Sequence, residues 1–340
     1  MLSPNWECSA CEVCLSSGKG TGQTGKGWSM RVVSLFSGVG GLDLGFIKEG
    51  HKIIWANDFF HDAVETYRNN IGSHIVEEDI HNIPSKTIPD CDIIIGGFPC
   101  QGFSVANTKR TVDDVRNELY KQMVRVIKDK KPKFFLAENV KGLLNLKNGS
   151  VIKMIIADFS VIGYKVKYQL LNSADYGISQ LRQRVIIVGV RNDIDFDYKY
   201  PKEQYNKDGT NGLKRWVSVK DVLQDLPDPD KPNNLANHEY SKFKISVTNY
   251  LGHRIVHGDK PAPTVTARGD DRGGVVVLHH YNNQRRMSCR ELAAIQSFPL
   301  DYIFYGSRSS IYRQIANAVP PLLAYNLAKC FSAYNGEIDA

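Results

Sequence analysis

Short apolar runs alternate with amphipathic stretches along the first 190 residues. Arg31 to Phe36 (RVVSLF), Lys52 to Ala56 (KIIWA), Asp92 to Ile95 (DIII) and Lys133 to Ala137 (KFFLA) have the composition of strands buried on both faces. Between them, Leu42 to Glu49, Phe60 to Asn69 and Glu118 to Lys128 read as helices. Ile75 to Ile80 is a short third strand with Asp79 at its end. This alternation predicts an open α/β sheet, mostly parallel. Val151 to Val161 reads as a helix, and Tyr164 to Leu171 with Val185 to Val190 as a strand pair at the sheet edge. From about Arg191 to Asn283 the pattern dissolves into a stretch rich in Asn, Asp, Lys, Pro and Tyr. A helix over Met287 to Phe298 and a returning C-terminal helix from about 311 close the chain.

In an open α/β sheet, ligands collect beyond the carboxyl ends of the strands. Five strand ends carry chemistry. After the first strand comes Ser37-Gly38-Val39-Gly40-Gly41, then a helix: a layout that presents backbone N–H groups to an anionic or polar ligand. Its spacing is G-x-G-G rather than G-x-G-x-x-G, and it lacks a Walker lysine, so a dinucleotide fingerprint fits poorly and a structural turn competes. Asp58, ending the second strand, is placed to accept the hydroxyls of a ribose. Asp79 is placed for an adenine amino group, with a simple loop acid as the alternative. After Ile95 the chain reads GGFPCQGFS, Gly96 to Ser104, so that Cys100 is either a nucleophile or a buried structural thiol. Glu138 follows the Lys133–Ala137 run. Neighbouring strands lie about 4.8 Å apart, so adjacent exits would bring Glu138 and Cys100 into one pocket. Gln180-x-Arg182-x-Arg184 opens the strand at Val185, with its arginines on one face; a structural salt-bridge pair is the alternative.

Composition adds little to this and excludes some classes. The chain has 340 residues and a net charge of +7, with a pI near 8.9, which suits a polyanionic partner without requiring one. No apolar run reaches the length of a membrane span, and the absence of a signal-peptide core points to an intracellular protein. Seven cysteines, mostly isolated, fit a reducing compartment. Cys8, Cys11 and Cys14 stand in C-x2-C-x2-C spacing, but a zinc or iron–sulfur site would need a fourth ligand. Residues 1–29 therefore read as a disordered extension, with Met30 a candidate start. Val105 to Asn117 is polar and basic, with Lys109 and Arg110 available to phosphates.

Six motifs in order give the chain a family resemblance. SLFSGVGGLDLGF (34–46), GGFPCQGFS, ENV (138–140), DYGISQLRQR (175–184), RRMSCRELAAIQSFP (285–299) and YRQIANAVPP (312–321) resemble the motifs of the DNA (cytosine-5) methyltransferases, over Arg31 to about Ser332. The resemblance implies a Rossmann-like S-adenosylmethionine-dependent methyltransferase sheet with a smaller target-recognition domain. It divides the chain into a catalytic domain of 30–192 plus 311–340 and a recognition domain of 193–310. It implies that Cys100 attacks C6 of a flipped-out cytosine in double-stranded DNA, with Pro99 shaping the turn. Glu138 would hold N3 and the exocyclic amine, Arg184 the base O2, and Arg182 would support the pocket.

The same resemblance places S-adenosyl-L-methionine against Phe36, Ser37, Gly38, Gly40 and Gly41, with Asp58 on the ribose, Phe59 against the adenine, and Asp79 and Ile80 reading it. Leu119, Asn317 and Val319 would complete the site. Gln101, Ser104, Lys109, Arg110, Arg268 and Arg272 would contact DNA, with His253, Arg254, Arg285 and Arg286 as further phosphate or base candidates and Arg290–Glu291 as a structural pair. The family often has Glu where Asp58 stands, and Gly where Ala316 precedes Asn317. The expected protein is a cytoplasmic, prokaryotic, monomeric modification enzyme, acting alongside a separate cognate restriction endonuclease. A tRNA cytosine-5 methyltransferase of the same fold and a non-catalytic nucleic-acid-binding module are the competing functions.

Overall fold

The computed structural model describes residues 29–98, 118–243, 253–267, 277–282 and 285–334. A seven-stranded sheet dominates it. The strands are β1 (Arg31–Leu35), β2 (Lys52–Asp58), β3 (Ile75–Glu77), β4 (Ile93–Gly96), β5 (Phe134–Val140), β6 (Tyr164–Asn172) and β8 (Gln183–Arg191), with a two-residue β7 (Gln180–Leu181) outside the sheet. Their order is β3-β2-β1-β4-β5-β8-β6. The first five are parallel, whereas β8 runs antiparallel to both β5 and β6. Strand order reverses between β1 and β4, and such a reversal opens a crevice beyond the strand ends.

The apolar runs form this sheet because both faces are covered. Val32, Ile93, Ile95, Phe134 and Leu136 point into one core with Phe46, Tyr67, Leu323, Leu327 and Phe331. Val33, Leu35, Ile94, Phe135 and Ala137 point into a second, with Met123, Ile127, Ile155 and Phe159. That is the period-two alternation of a strand, buried on either side. α1 (Gly41–Lys48) and α2 (His61–Asn70) follow β1 and β2, while α3 (Glu118–Lys130) and α4 (Ser150–Val161) follow β4 and β5. Gly45 lets α1 press against the C-terminal helix: a Cβ there would lie 2.3 Å from Ala324 Cβ.

The segment after β8 stays on the sheet before it departs. Ile194 and Tyr198 are buried in the first core, with Phe196 and Tyr200 packed against it. A third core then gathers Val219, Leu223, Val256, Val265, Leu278, Leu292 and Phe298 with Ile311 and Ile315, and reaches the glycine turn through Val39 and Leu44. Its regular pieces are short: β9 (Tyr205–Asn206), β10 (Lys214–Arg215), α5 (Val219–Leu223), β11 (His253–Ile255), β12 (Ala262–Pro263) and β13 (Val277–His279). α6 (Cys289–Ile295) is shorter than the Met287–Phe298 expectation. Ser288 and Glu291 form a capping box at its start, and Ser297 adopts a left-handed φ of 64° beyond its end. The returning helix is two helices, α7 (Arg308–Asn317) and α8 (Pro321–Lys329), with Pro321 at the first position of the second.

Candidate active site and cofactor turn

The turn after β1 is left-handed at Phe36 (φ 54°), Gly38 (φ 53°) and Gly40 (φ 76°). A non-glycine residue at positive φ is costly and persists where the surroundings hold it. Here Ser37 N–H donates to the Asn57 carbonyl (2.9 Å), and Gly38 N–H donates to Asp58 Oδ2 (2.8 Å). Phe60 N–H donates to Asp58 Oδ1 (2.9 Å). Burial pushes the Asp58 carboxyl up, against the pull of those two N–H groups. Gly40 and Gly41 are close approaches. A Cβ on Gly40 would meet Ile71 at 2.2 Å, and one on Gly41 would meet the Val319 carbonyl oxygen at 2.2 Å. A Cβ on Gly38 would meet no described atom within 4 Å, so the turn is open on that side. Val319 is buried, whereas Asn317, the last residue of α7, is exposed.

Phe59 projects beyond β2 with 67% of its surface exposed. One strand over, β3 stops at Glu77, shorter than expected, because Asp79 caps a 3-10 turn over Ile80–Asn82 by accepting the His81 N–H at 2.9 Å. That bond first, and the His81 ring, hold Asp79 below the usual carboxylate range. The Ile80 side chain is buried in the second core, and Leu119 of α3 packs against the same cluster.

Beneath the turn lies an acid that the motif reading passed over. Asp43 is fully buried in α1, accepting hydrogen bonds from Ser34 Oγ (3.0 Å) and Tyr67 OH (3.2 Å). Burial pushes its carboxyl up to about 7. Ser37 Oγ donates in turn to Ser34 Oγ (3.0 Å), so the network reaches the turn itself. Tyr302 OH donates to the Val39 carbonyl from the other side. The signal available in the sequence was an acid set inside GLDLG, an otherwise apolar helix start.

The second constellation sits at the ends of β4 and β5. Glu138 and Asn139 lie inside β5, not beyond it, paired with Ile186 and Val185 of β8. This fixes Glu138, which is 8% exposed. A Cβ on Gly97 would lie 3.3 Å from Glu138 Oε2, and Asn139 Nδ2 donates to the Phe98 carbonyl at 3.1 Å. The chain leading into Pro99 is thus held against Glu138. Pro99 and Cys100 themselves lie outside the described residues, as do Gln101, Ser104, Lys109, Arg110, Arg268 and Arg272. Arg184 Nε lies 2.8 Å from Glu138 Oε1. Its N–H is not aligned on that oxygen, which has no hydrogen-bond donor among the described residues. The contact is an ion pair.

Arg182 behaves differently from Arg184 although two residues away. Its guanidinium is buried and donates to the carbonyls of Val265 (3.3 Å), Ala316 (2.9 Å) and Ala318 (2.9 Å). Burial first, and then Arg184, pull it well below the usual arginine range, while Glu138 opposes them. Ala316, where the family usually has Gly, lies inside α7 and needs no unusual φ. Gln180, also buried, accepts the Val265 N–H (3.0 Å) and donates to Gln296 Oε1 (3.0 Å). Three distant segments therefore meet on Gln180 and Arg182, just before the strand that carries Arg184.

Two surface expectations fail. Arg285 forms a double hydrogen bond with Glu291 (2.9 and 2.8 Å) and lies over the Tyr240 ring, while Arg286 is buried over Tyr312. Guanidinium groups desolvated in this way hold the small core together rather than meeting phosphates. Arg290 and Glu291 are structural but not paired. Arg290 donates to the carbonyls of Ala236, Pro299 and Tyr302. The side chains of His253 and Arg254 lie outside the described set.

The model of the C-5 cytosine-specific DNA methylase family matches residues 30–332. The chain belongs to that family. Its methyl donor is S-adenosyl-L-methionine. Among similar proteins, the Type II methyltransferase M.NgoFVII of Neisseria gonorrhoeae is 41% identical over 327 residues, covering 88% of this chain and 85% of that protein. M.FnuDI of Fusobacterium nucleatum is 39% identical over 330 residues, covering 88% and 93%. In fold, the S. pombe Dnmt2 methyltransferase superposes with a TM-score of 0.67 at 20% identity, covering 90% of this chain and 100% of that one. The S. pombe likeness shows the methyltransferase fold. Among the described residues no helix is long and apolar enough to cross a membrane.

Proposed function

We propose that the methylase modifies a cytosine within a short DNA sequence, through a transient bond between the Cys100 sulfur and cytosine C6. Attack by the thiolate forms the C6–S bond and raises electron density at C5, which is otherwise too poor a nucleophile. Bound S-adenosyl-L-methionine supplies an electrophilic methyl group there. Loss of the C5 proton then breaks the C6–S bond and returns the thiolate. Glu138 holds N3 and the exocyclic amine and shares a proton, so that charge does not accumulate on the ring. Arg184 orients Glu138 and faces the base O2, while Arg182 supports this ledge from behind. Pro99 aims the thiol.

The observation that carries the proposal is the position of Glu138: buried, ion-paired with Arg184, and against Gly97, three residues before Cys100. The residues around the glycine turn suit an adenosyl donor. They offer an open side at Gly38, an aromatic face at Phe59 and carboxylates at Asp58 and Asp79. Phe36, Ser37, Gly40 and Gly41 shape the turn at the methionine end, and Ile80, Leu119, Asn317 and Val319 surround the rest. The catalytic domain runs from 30 to about 200, beyond the 192 expected, and is completed by α8, because Ile194 and Tyr198 pack into the first core. The recognition domain lies between them and takes in α7, whose Ile311 and Ile315 pack into the third core. Gln101, Ser104, Lys109, Arg110, Arg268 and Arg272 contact the DNA. The Type II names of the relatives favour pairing with a restriction endonuclease that acts separately.

The test is methyl transfer from labelled donor to DNA and to tRNA side by side, with wild type and Cys100→Ser. Label on DNA, abolished in the variant, is expected. Label on tRNA alone would overturn the choice of substrate, and unchanged transfer by Cys100→Ser would overturn the covalent step.

A further inference from the structure

We infer that Arg125, on α3, is a positioning residue for the adenosyl end of the methyl donor. The inference rests on the reading that Asp79 and Ile80 face the adenine. Arg125 Nη2 donates to the carbonyls of Ile80 (2.9 Å) and Ile83 (3.1 Å), and Nη1 donates to Ser85 Oγ (2.7 Å). Nε donates to Gln122 Oε1 (2.7 Å), one turn earlier on the same helix. The guanidinium thus spends four hydrogen bonds on neutral acceptors, two of them on the turn that follows Asp79 and a third on Ser85, which opens the next 3-10 turn.

Besides Arg125, the turn is held by the Asp79 cap and by the burial of the Ile80 and Ile83 side chains in the second core. Among the described residues, Arg125 is the side chain from another element that takes its carbonyls. β3 contributes three residues and pairs with β2 alone, at the edge of the sheet. The 3-10 helix beyond Asp79 is a single turn, and one turn of such a helix has poor hydrogen-bond geometry of its own. Arg125 takes the carbonyls at both ends of it, and the Ile80 carbonyl belongs to a residue proposed to meet the base. A planar fork suits this task, because several acceptors lie at fixed directions around one group. An ammonium is a point charge and cannot satisfy them together. The same helix presents Leu119 to the second core beside Ile80 and Ile83, so α3 carries both the proposed wall of the donor site and the clamp for its floor.

The experiment uses the full chain with Arg125→Lys, Arg125→Met and the milder Ser85→Ala, and Asp79→Ala as the control for the adenine reading. Donor Kd is read by calorimetric titration, and KM for donor and for DNA and kcat from steady-state methylation. Loss of the hydrogen bonds to the turn and to Ser85 is expected to raise donor Kd and KM about tenfold in both Arg125 variants and by a smaller factor in Ser85→Ala. The KM for DNA stays within about twofold. The inference is overturned if Asp79→Ala weakens donor binding but the Arg125 variants and Ser85→Ala leave it unchanged, whatever they do to thermal stability or kcat. Should Asp79→Ala leave donor binding unchanged, the adenine reading falls, and this inference with it.

Discussion

Replacing Asp43 by asparagine tests the buried network under the glycine turn. A carboxylate in water titrates near 3.8, and burial lifts Asp43 to about 7. The folded state therefore binds a proton between these values that the unfolded state has released. Stability must fall as pH rises across that window, by about 1.4 kcal/mol per unit, and level off above it. The full shift amounts to about 4 kcal/mol, a large part of the stability of an ordinary domain. Its full burial, with Ser34 and Tyr67 as its hydrogen-bond donors, leaves little solvent screening to discount. The replacement amide is neutral throughout and matches the protonated acid in shape. Urea unfolding of both proteins at pH 4, 5, 6, 7 and 8 should show wild type and Asp43→Asn close together at pH 4, with the variant already ahead by about 1–2 kcal/mol at pH 5. The variant should gain steadily, and be more stable by a few kcal/mol at pH 8. A stability difference that does not change with pH would refute the reasoning.

Further outcomes follow from the same geometry. Glu138→Gln keeps the shape of the side chain but loses its charge and its proton, and should lower kcat by roughly 10²-fold or more with DNA affinity in gel-shift titrations retained. Gly41→Ala drives a Cβ to 2.2 Å from the Val319 carbonyl. Urea unfolding should show a loss of about 1–3 kcal/mol, and donor titration a weaker site. Arg182→Met leaves three buried carbonyls without donors and should destabilise by about 3 kcal/mol or more, measured as a loss of unfolding midpoint. Arg184→Met should leave stability much closer to wild type and lower methyl transfer.

The strands and most helices were legible in the sequence because burial on both faces demands apolar runs. The ends of strands carrying Gly, Pro, Cys and acids stood out for the same reason. The position of Glu138 followed from strand adjacency, and β4 and β5 are indeed neighbours. What escaped was partnering across long sequence distances. Arg182 and Arg184 look alike in Q-x-R-x-R, yet one meets three carbonyls up to 136 positions away and the other meets Glu138. Arg285 looked like a surface cation until its fork met Glu291. Asp43 and Arg125 drew no notice because nothing local marks an acid as desolvated or an arginine as a clamp. Local chemistry and periodicity are written along the chain, whereas desolvation is a property of what arrives from elsewhere.

The packing of Phe46 on Phe331 has a bearing on synthesis. One face of the sheet is covered in part by α8 and the residues just after it, and Leu323, Leu327 and Phe331 leave the ribosome last among that core. Met30, Val32 and Phe46 on that face have by then been outside for roughly 280 residues of elongation, or about 15–60 s at 5–20 residues per second. For that time the part of this face that α8 closes stays open, although α1, α2 and the segment after β8 already share its core. Chains that stall or are cut before about residue 320 would keep that part of the face bare, and would be expected to aggregate or to occupy chaperones rather than to persist as partial enzymes.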